Sequence, residues 1–262
     1  MHAHLDPSSP PRLTRFRPAV FPMLVLGLLE AWARTIGHGS DAIAPPTAAI
    51  EALAGAMRDG SLLRGTAFTL GAAALGLVLG SLPGIAIGTV LGLSRRAAAA
   101  SFLSVELFRP IPSVALIPLA MLAFGFGLGM EVSVVAFATF WPMLILSQAA
   151  ARQVEPGWLE VARALQLGRA DRLTKVVLPA MVPRLFVALR LGVAIALVVA
   201  VTVEIAANPN GMGYAMMIAQ QSLEPALMLA WLFWIGVVGY AVNAATLAMQ
   251  RRVATHMGEV SK

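Results

Sequence analysis

Six segments, near residues 19–36, 64–93, 108–125, 131–149, 185–207 and 226–249, are apolar over about the length a helix needs to cross a bilayer. A hydrocarbon core of about 30 Å, at a rise of about 1.5 Å per residue, takes about 20 such residues. Lipid offers backbone groups no partner, so runs this rich in Gly and Ala must span as helices. Composition agrees. With 58% of its 262 residues hydrophobic and 12% charged, and a mean hydropathy of +0.79, the chain has more apolar surface than a water-soluble core could bury. Intrinsic disorder is excluded by the same numbers. Cysteine is absent, which removes disulfides, thiolate metal sites and cysteine nucleophiles.

A formal charge of +6 raises the question of nucleic acid, but the basic residues fall in short stretches between apolar runs, the distribution of cytoplasmic loops. Six crossings with the N-terminus inside put sixteen of the nineteen basic residues on the inner side, among them Arg12, Arg15, Arg17, Arg95, Arg96 and Lys262, and leave only Arg34, Arg58 and Arg64 outside. Basic residues resist translocation, so both termini are expected to be cytoplasmic. The first crossing carries Ala31-Trp32-Ala33, a signal-peptidase-like site. Glu30 before it and apolar character up to Ile36 favour an uncleaved anchor. Expected boundaries are a tail at 1–18, a membrane domain at 19–252 and a second tail at 253–262.

Several chemistries lack their residues. No glycine-rich turn precedes Lys175 or Lys262, so the chain has no P-loop for ATP. His2, His4, His38 and His256 form no metal-ligand pattern and lie outside the crossings. Paired catalytic carboxylates and an activated nucleophile are missing as well, against an intramembrane enzyme.

Within the crossings, Gly76, Gly80, Gly84, Gly88 and Gly92 place a glycine at every fourth position of one helix face. Such a face is expected to pack closely on another helix; its functional reading is a surface that slides during gating. Arg109 and Arg190, toward the inner half, are expected to snorkel to lipid phosphates, with contact to an anion on the substrate path as the alternative. Pro110, Pro112 and Pro118 interrupt the third crossing near Ser113, and broken helices often line substrate paths. Glu204, near the outer end of the fifth crossing, is expected to bond the turn that follows at Asn208–Gly213 rather than to meet substrate. Glu30 and Glu131 are expected at the interface. Outside the membrane, Thr47–Met57 is expected to form an amphipathic helix on the outer surface.

The most informative stretch is residues 150–184. Pro156-Gly157 opens a short helix with Trp158, Ala162 and Leu165 at helical spacing, which Gly168 is expected to stop. Asp171 is expected to cap a second helix through Val177, ended by Pro179 and Pro183. Edged by Arg163, Arg169, Arg172 and Lys175, such a hairpin is a docking knob for another protein.

Glu160-x-Ala162-Arg163-x-Leu165 followed by Val176-Val177-Leu178-Pro179 resembles the EAA loop of ABC-importer permeases. In order and spacing, Arg109-Pro110-Ile111-Pro112-Ser113 through Leu119, Phe124-Gly125-Phe126-Gly127, and Glu204 with Gly211-Met212-Gly213-Tyr214 resemble the branch serving nitrate, taurine and aliphatic sulfonates. The likeness covers roughly residues 25–252. It implies an all-α, six-helix type I importer (MetI-like) fold working as one half of a two-fold pore. It also implies a second copy of the chain, two cytoplasmic ATPases that use ATP and Mg, and an external solute-binding protein. This chain itself would bind no cofactor or metal, and lipid surrounds it. In the coupling loop the resemblance points to Trp158, Glu160, Ala162, Arg163, Leu165, Gln166, Gly168, Leu178 and Pro179. Gln166 stands where the family usually has glycine, with Gly168 two residues on, so the turn is expected to be displaced or differently shaped. The competing reading is a self-contained secondary transporter or channel, whose marks, a mid-membrane acid or an internal repeat, are not evident.

Overall fold

The computed structural model describes residues 17–35 and 43–256; Arg12, Arg15, His2, His4, His38 and Lys262 lie outside them. Among the described residues the structure is helical with no strand. Helix α1 (Arg17–Thr35) is followed by α2 (Pro46–Arg58), the long α3 (Ser61–Leu93), α4 (Arg95–Phe108) and a 3₁₀ turn (Ser113–Leu116) leading into α5 (Ile117–Phe124). Then come α6 (Leu128–Arg152), the short pair α7 (Pro156–Ala164) and α8 (Arg169–Arg172), α9 (Leu178–Ala206), α10 (Gly211–Gln221) and α11 (Pro225–His256).

Helix α3, α6, a helix built around α9 and α11 are long and apolar enough to span a bilayer. Their positions match the second, fourth, fifth and sixth apolar segments. The third segment is different. Helix α4 and the 3₁₀–α5 unit together carry enough apolar length for a crossing but are bent by 79° at Arg109–Pro112. Pro110 and Pro112 lack the N–H groups that would continue the helix; Arg109 itself still has helical backbone angles, so α4 runs up to the first proline before the chain turns. The first segment forms α1, whose described side chains are mostly exposed.

Three helices make the centre. The glycine ridge of α3 lies directly on α6. A Cβ at Gly76 would come within 2.5 Å of Val135 Cβ, one at Gly84 within 2.8 Å of the Phe140 carbonyl, and one at Gly92 within 2.5 Å of Ala151 Cβ. Gly80 and Gly88 are closed in the same way by the Ala136 and Leu144 carbonyls. The backbones touch because no side chain separates them, and in lipid that packing supplies the attraction the hydrophobic effect does not. Helix α9 completes the trio, with Met130, Val134, Val135, Ala196, Ala200 and Val203 in one buried cluster.

A second cluster, around Leu62, Met212 and Trp231, joins α2, α3, α10 and α11. A third, of Ala150, Ala151, Val154, Val177 and Met181, ties the base of the α7–α8 hairpin to α6 and α9. The molecule therefore has a hairpin end and a far end, where α2 and α10 lie.

The helix from α8 into α9 does not stop at its prolines, contrary to the expectation from sequence. Over Leu173–Val177 it widens into a π turn, and the Leu178 N–H reaches back to the Leu173 carbonyl. The helix changes register just ahead of Pro179, so the residue that cannot donate falls at the start of a fresh α segment, where a missing N–H is tolerated. Pro183 lies one turn further inside α9.

Candidate functional site

Three places bring functional side chains together: the hairpin, a cavity at the broken crossing, and a buried cluster at the far end.

At the hairpin, α7 ends at Ala164 and not at Gly168. The turn is closed by the Gln166 N–H to the Arg163 carbonyl at 2.9 Å and the Leu167 N–H to the Ala162 carbonyl at 3.0 Å. Together these bonds form a Schellman cap whose left-handed residue is Gln166, at φ +54°. A left-handed residue closing a helix in this way is usually glycine; here glutamine adopts that conformation. Gly168 instead stands extended as the N-cap of α8. Asp171 caps nothing: it sits within α8 and pairs with Lys175 at 2.7 Å. Ala162 is buried, whereas Trp158, Val161 and Leu165 are 55%, 60% and 67% exposed. These three, spaced three and four apart, form an apolar stripe on the outward face of α7, with Glu160 and Arg163 exposed beside it.

At the break in the third crossing, Arg109 and Ser113 line a cavity of about 270 Å³ with Phe137, Trp141, Ile195 and Val199. Arg109 donates to Glu106 at 3.4 Å, a long pair in which both side chains are nearly half exposed. Trp141 is fixed by edge-on Phe137 and Phe140 and by a stack on Phe108. Pro112 precedes the 3₁₀ turn that carries Ser113. Phe137 and Trp141 bring the middle of α6 to this cavity, so Arg109, expected toward the inner half, lies level with the centre of that helix. Arg190 lies elsewhere, donating from α9 to Asn243 of α11 at 3.2 Å.

At the far end Glu204 is wholly buried. Its two oxygens accept from the Thr69 hydroxyl at 2.6 Å and the Gly213 N–H at 2.8 Å. The Met212 N–H in turn donates to the Thr69 hydroxyl at 3.0 Å. One carboxylate thereby ties α3, α9 and the first turn of α10, and its bond to the 208–213 turn is the role expected of it. Gly211, at φ +92°, lies so close that any Cβ would overlap the Glu204 carboxyl. Glu131, in the first turn of α6 at the end of that span, is also wholly buried in the protein: its carboxylate accepts from the Asn208 side chain. Sequence reasoning took Asn208 only as a turn former, because a partner 77 positions away leaves no local signal. Glu30 accepts from the Thr47 N–H at 3.1 Å and hydroxyl at 2.8 Å, and pairs with Arg34. It holds the first turn of α2 and takes no part in the other clusters. Among the described residues no group of acidic, His or Cys side chains could hold a metal ion.

Residues 76–258 match the family model of the binding-protein-dependent transport system inner membrane component. The chain belongs to that family. It is 31% identical over 181 residues to SsuC of Bacillus subtilis (strain 168), a permease protein named for aliphatic sulfonates transport, covering 69% of this chain and 66% of that one. With the taurine transport system permease protein TauC of Escherichia coli (strain K12) it shares 29% over 202 residues, covering 77% and 74%. Its fold resembles that of a chain in the inward-facing MetNI methionine ABC transporter, with a TM-score of 0.66 and 19% identity, over 73% of this chain and 95% of that one. The permease thus has the MetI-like importer fold and sits in the branch that the motifs at Arg109–Leu119 and Glu204–Tyr214 indicate. As a permease subunit it has no ATPase site of its own, and it is a polytopic protein of the inner membrane.

Proposed function

We propose that two copies of the permease form the pore of an ABC importer that takes up a small anion of the nitrate, taurine or sulfonate kind. In this reading an external binding protein delivers the solute, and two ATPases on the cytoplasmic side grip the α7–α8 hairpins. Both termini then face the cytoplasm. The observation that carries the reading is the outward stripe of Trp158, Val161 and Leu165 on a helix of only nine residues. On a helix rimmed by Glu160 and Arg163, an uncovered apolar stripe fits a groove on a partner. Movement of that partner reaches the bundle through the third buried cluster, since Val177 and Met181 sit at the base of both the hairpin and α9. A chain without a nucleotide site transports uphill only when another component biases its two states, which is what such a grip supplies.

The test is co-purification with the cognate ATPase. Glu160→Lys is expected to abolish association and ATP-dependent uptake while the protein still inserts. Uptake by the permease alone, following a proton or sodium gradient, would refute the proposal.

A further inference from the structure

The cavity at the broken crossing has four properties that bear on one another. It lies at mid-depth: Trp141 is 13 residues from the start of α6 at Leu128 and 11 from its end at Arg152, about 20 Å and about 17 Å of helix respectively. It holds a guanidinium, which at that depth is costly unless it faces water, protein or a ligand. The pair it makes with Glu106 is long and half exposed on both sides, so the side of α4 carrying them cannot rest against lipid tails. The cavity lining is otherwise largely apolar, with Phe137, Trp141, Ile195 and Val199.

We infer that this cavity is a membrane-embedded subsite for an organic monoanion with a flat or branched apolar body, held at its head by Arg109 and Ser113. The inference rests on the importer reading above and adds to it a place on the path and a ligand shape. The guanidinium presents five N–H groups in a planar fork, of which Glu106 engages one. A sulfonate or carboxylate accepts two of the others side by side. Ser113, on the 3₁₀ turn just past the break, adds a hydroxyl donor to the same wall. The opposite wall is apolar, with Phe137, Ile195 and Val199. A bare inorganic anion fills little of about 270 Å³, a volume near the lower end of sites for organic ligands, about 300 Å³. It would leave the apolar wall wet. An anion with a hydrocarbon body dries that wall while its head pairs the two donors. Glu106 competes with the ligand for Arg109, so its removal works in the opposite sense from the loss of any binding group.

The test is equilibrium binding of radiolabelled benzenesulfonate to the full-length permease in lipid nanodiscs, without ATPase or binding protein, with unlabelled nitrate as competitor. Saturable binding that nitrate displaces poorly is expected. Arg109→Gln is expected to weaken it by about tenfold or more, the scale of a lost charge-assisted pair, and Arg109→Lys by less. Glu106→Gln is expected to tighten binding by up to about fivefold, the scale of an exposed ion pair. Absence of saturable binding to the wild type, indifference to Arg109→Gln in a monodisperse protein that Arg109→Lys matches, or nitrate competing as well as benzenesulfonate itself would overturn the subsite. None of these results depends on the ATPase. Failure here leaves the Glu160→Lys association test standing, and failure there leaves this one.

Discussion

The two ends of the permease solve opposite problems. At the far end, polar groups from three helices are drawn inside and paired with one another: Thr69, Glu204 and the amides of Met212 and Gly213 close a loop of hydrogen bonds with no exposed member among the side chains. At the hairpin end the polar groups face outward, and so do Trp158, Val161 and Leu165. At the far end these bonds are made within a single chain, although the buried Oε1 of Glu131 has no hydrogen-bond partner. At the hairpin the apolar stripe is left uncovered by the chain itself. Substitutions at the far end should therefore register in stability, and substitutions on the outward face of α7 in association alone.

The largest effect is expected from Gly211→Val. A Cβ there meets the buried carboxyl of Glu204, and a branched side chain is strained at φ +92°. Together they should cost about 4 kcal/mol or more, at the level reserved for a few mechanisms, seen as loss of monodisperse protein or a large fall in Tm. Next is Glu204→Gln. The amide oxygen can keep the Gly213 N–H, but its NH2 must then donate to the Thr69 hydroxyl, which is left to donate only to the Gly65 carbonyl at 3.0 Å. Losing the stronger bond to the carboxyl oxygen should cost about 1 kcal/mol, read by thermal unfolding in detergent. Third is Trp158→Ala, which should leave Tm within about 0.5 kcal/mol equivalent, as for other surface changes, while reducing ATPase co-purification severalfold. A fall in Tm matching that of Glu204→Gln would erase the distinction between the ends. The smallest effect is Gln166→Gly. Relief of the left-handed conformation should stabilise the hairpin by about 1 kcal/mol, detectable as slower hydrogen exchange at the Leu167 amide. No change there would mean that the glutamine side chain compensates locally.

What was legible in the sequence followed from local rules. Apolar length located α3, α6, α9 and α11 to within a few residues at most ends, because lipid leaves a spanning segment no other backbone solution. The resemblance to importer permeases came from short motifs in fixed order, and the family match agrees with it. The bend at Arg109–Pro112 was signalled by its prolines, but its consequence was not: that Arg109 lies beside Trp141 and Val199 depends on how α4, α6 and α9 are laid together. Likewise, proline chemistry argued for a stop at Pro179, and a π turn overrode it through a shift of register that no residue pattern announces. The burial of Glu131 against Asn208 was equally out of reach, since hydropathy assigns a carboxylate to the nearest interface and is blind to a partner on another helix.

The contact between α3 and α6 has a consequence for motion. At Gly80, Gly84 and Gly88 the seam sets α3 backbone against α6 carbonyls, and at Gly76 and Gly92 against the short side chains of Val135 and Ala151, so it leaves little room to repack. Any cycle of opening must carry α3 and α6 together as one beam. The hinge is then left to places where the ladder of hydrogen bonds is already interrupted: the kink after α4 and the widened turn ahead of α9.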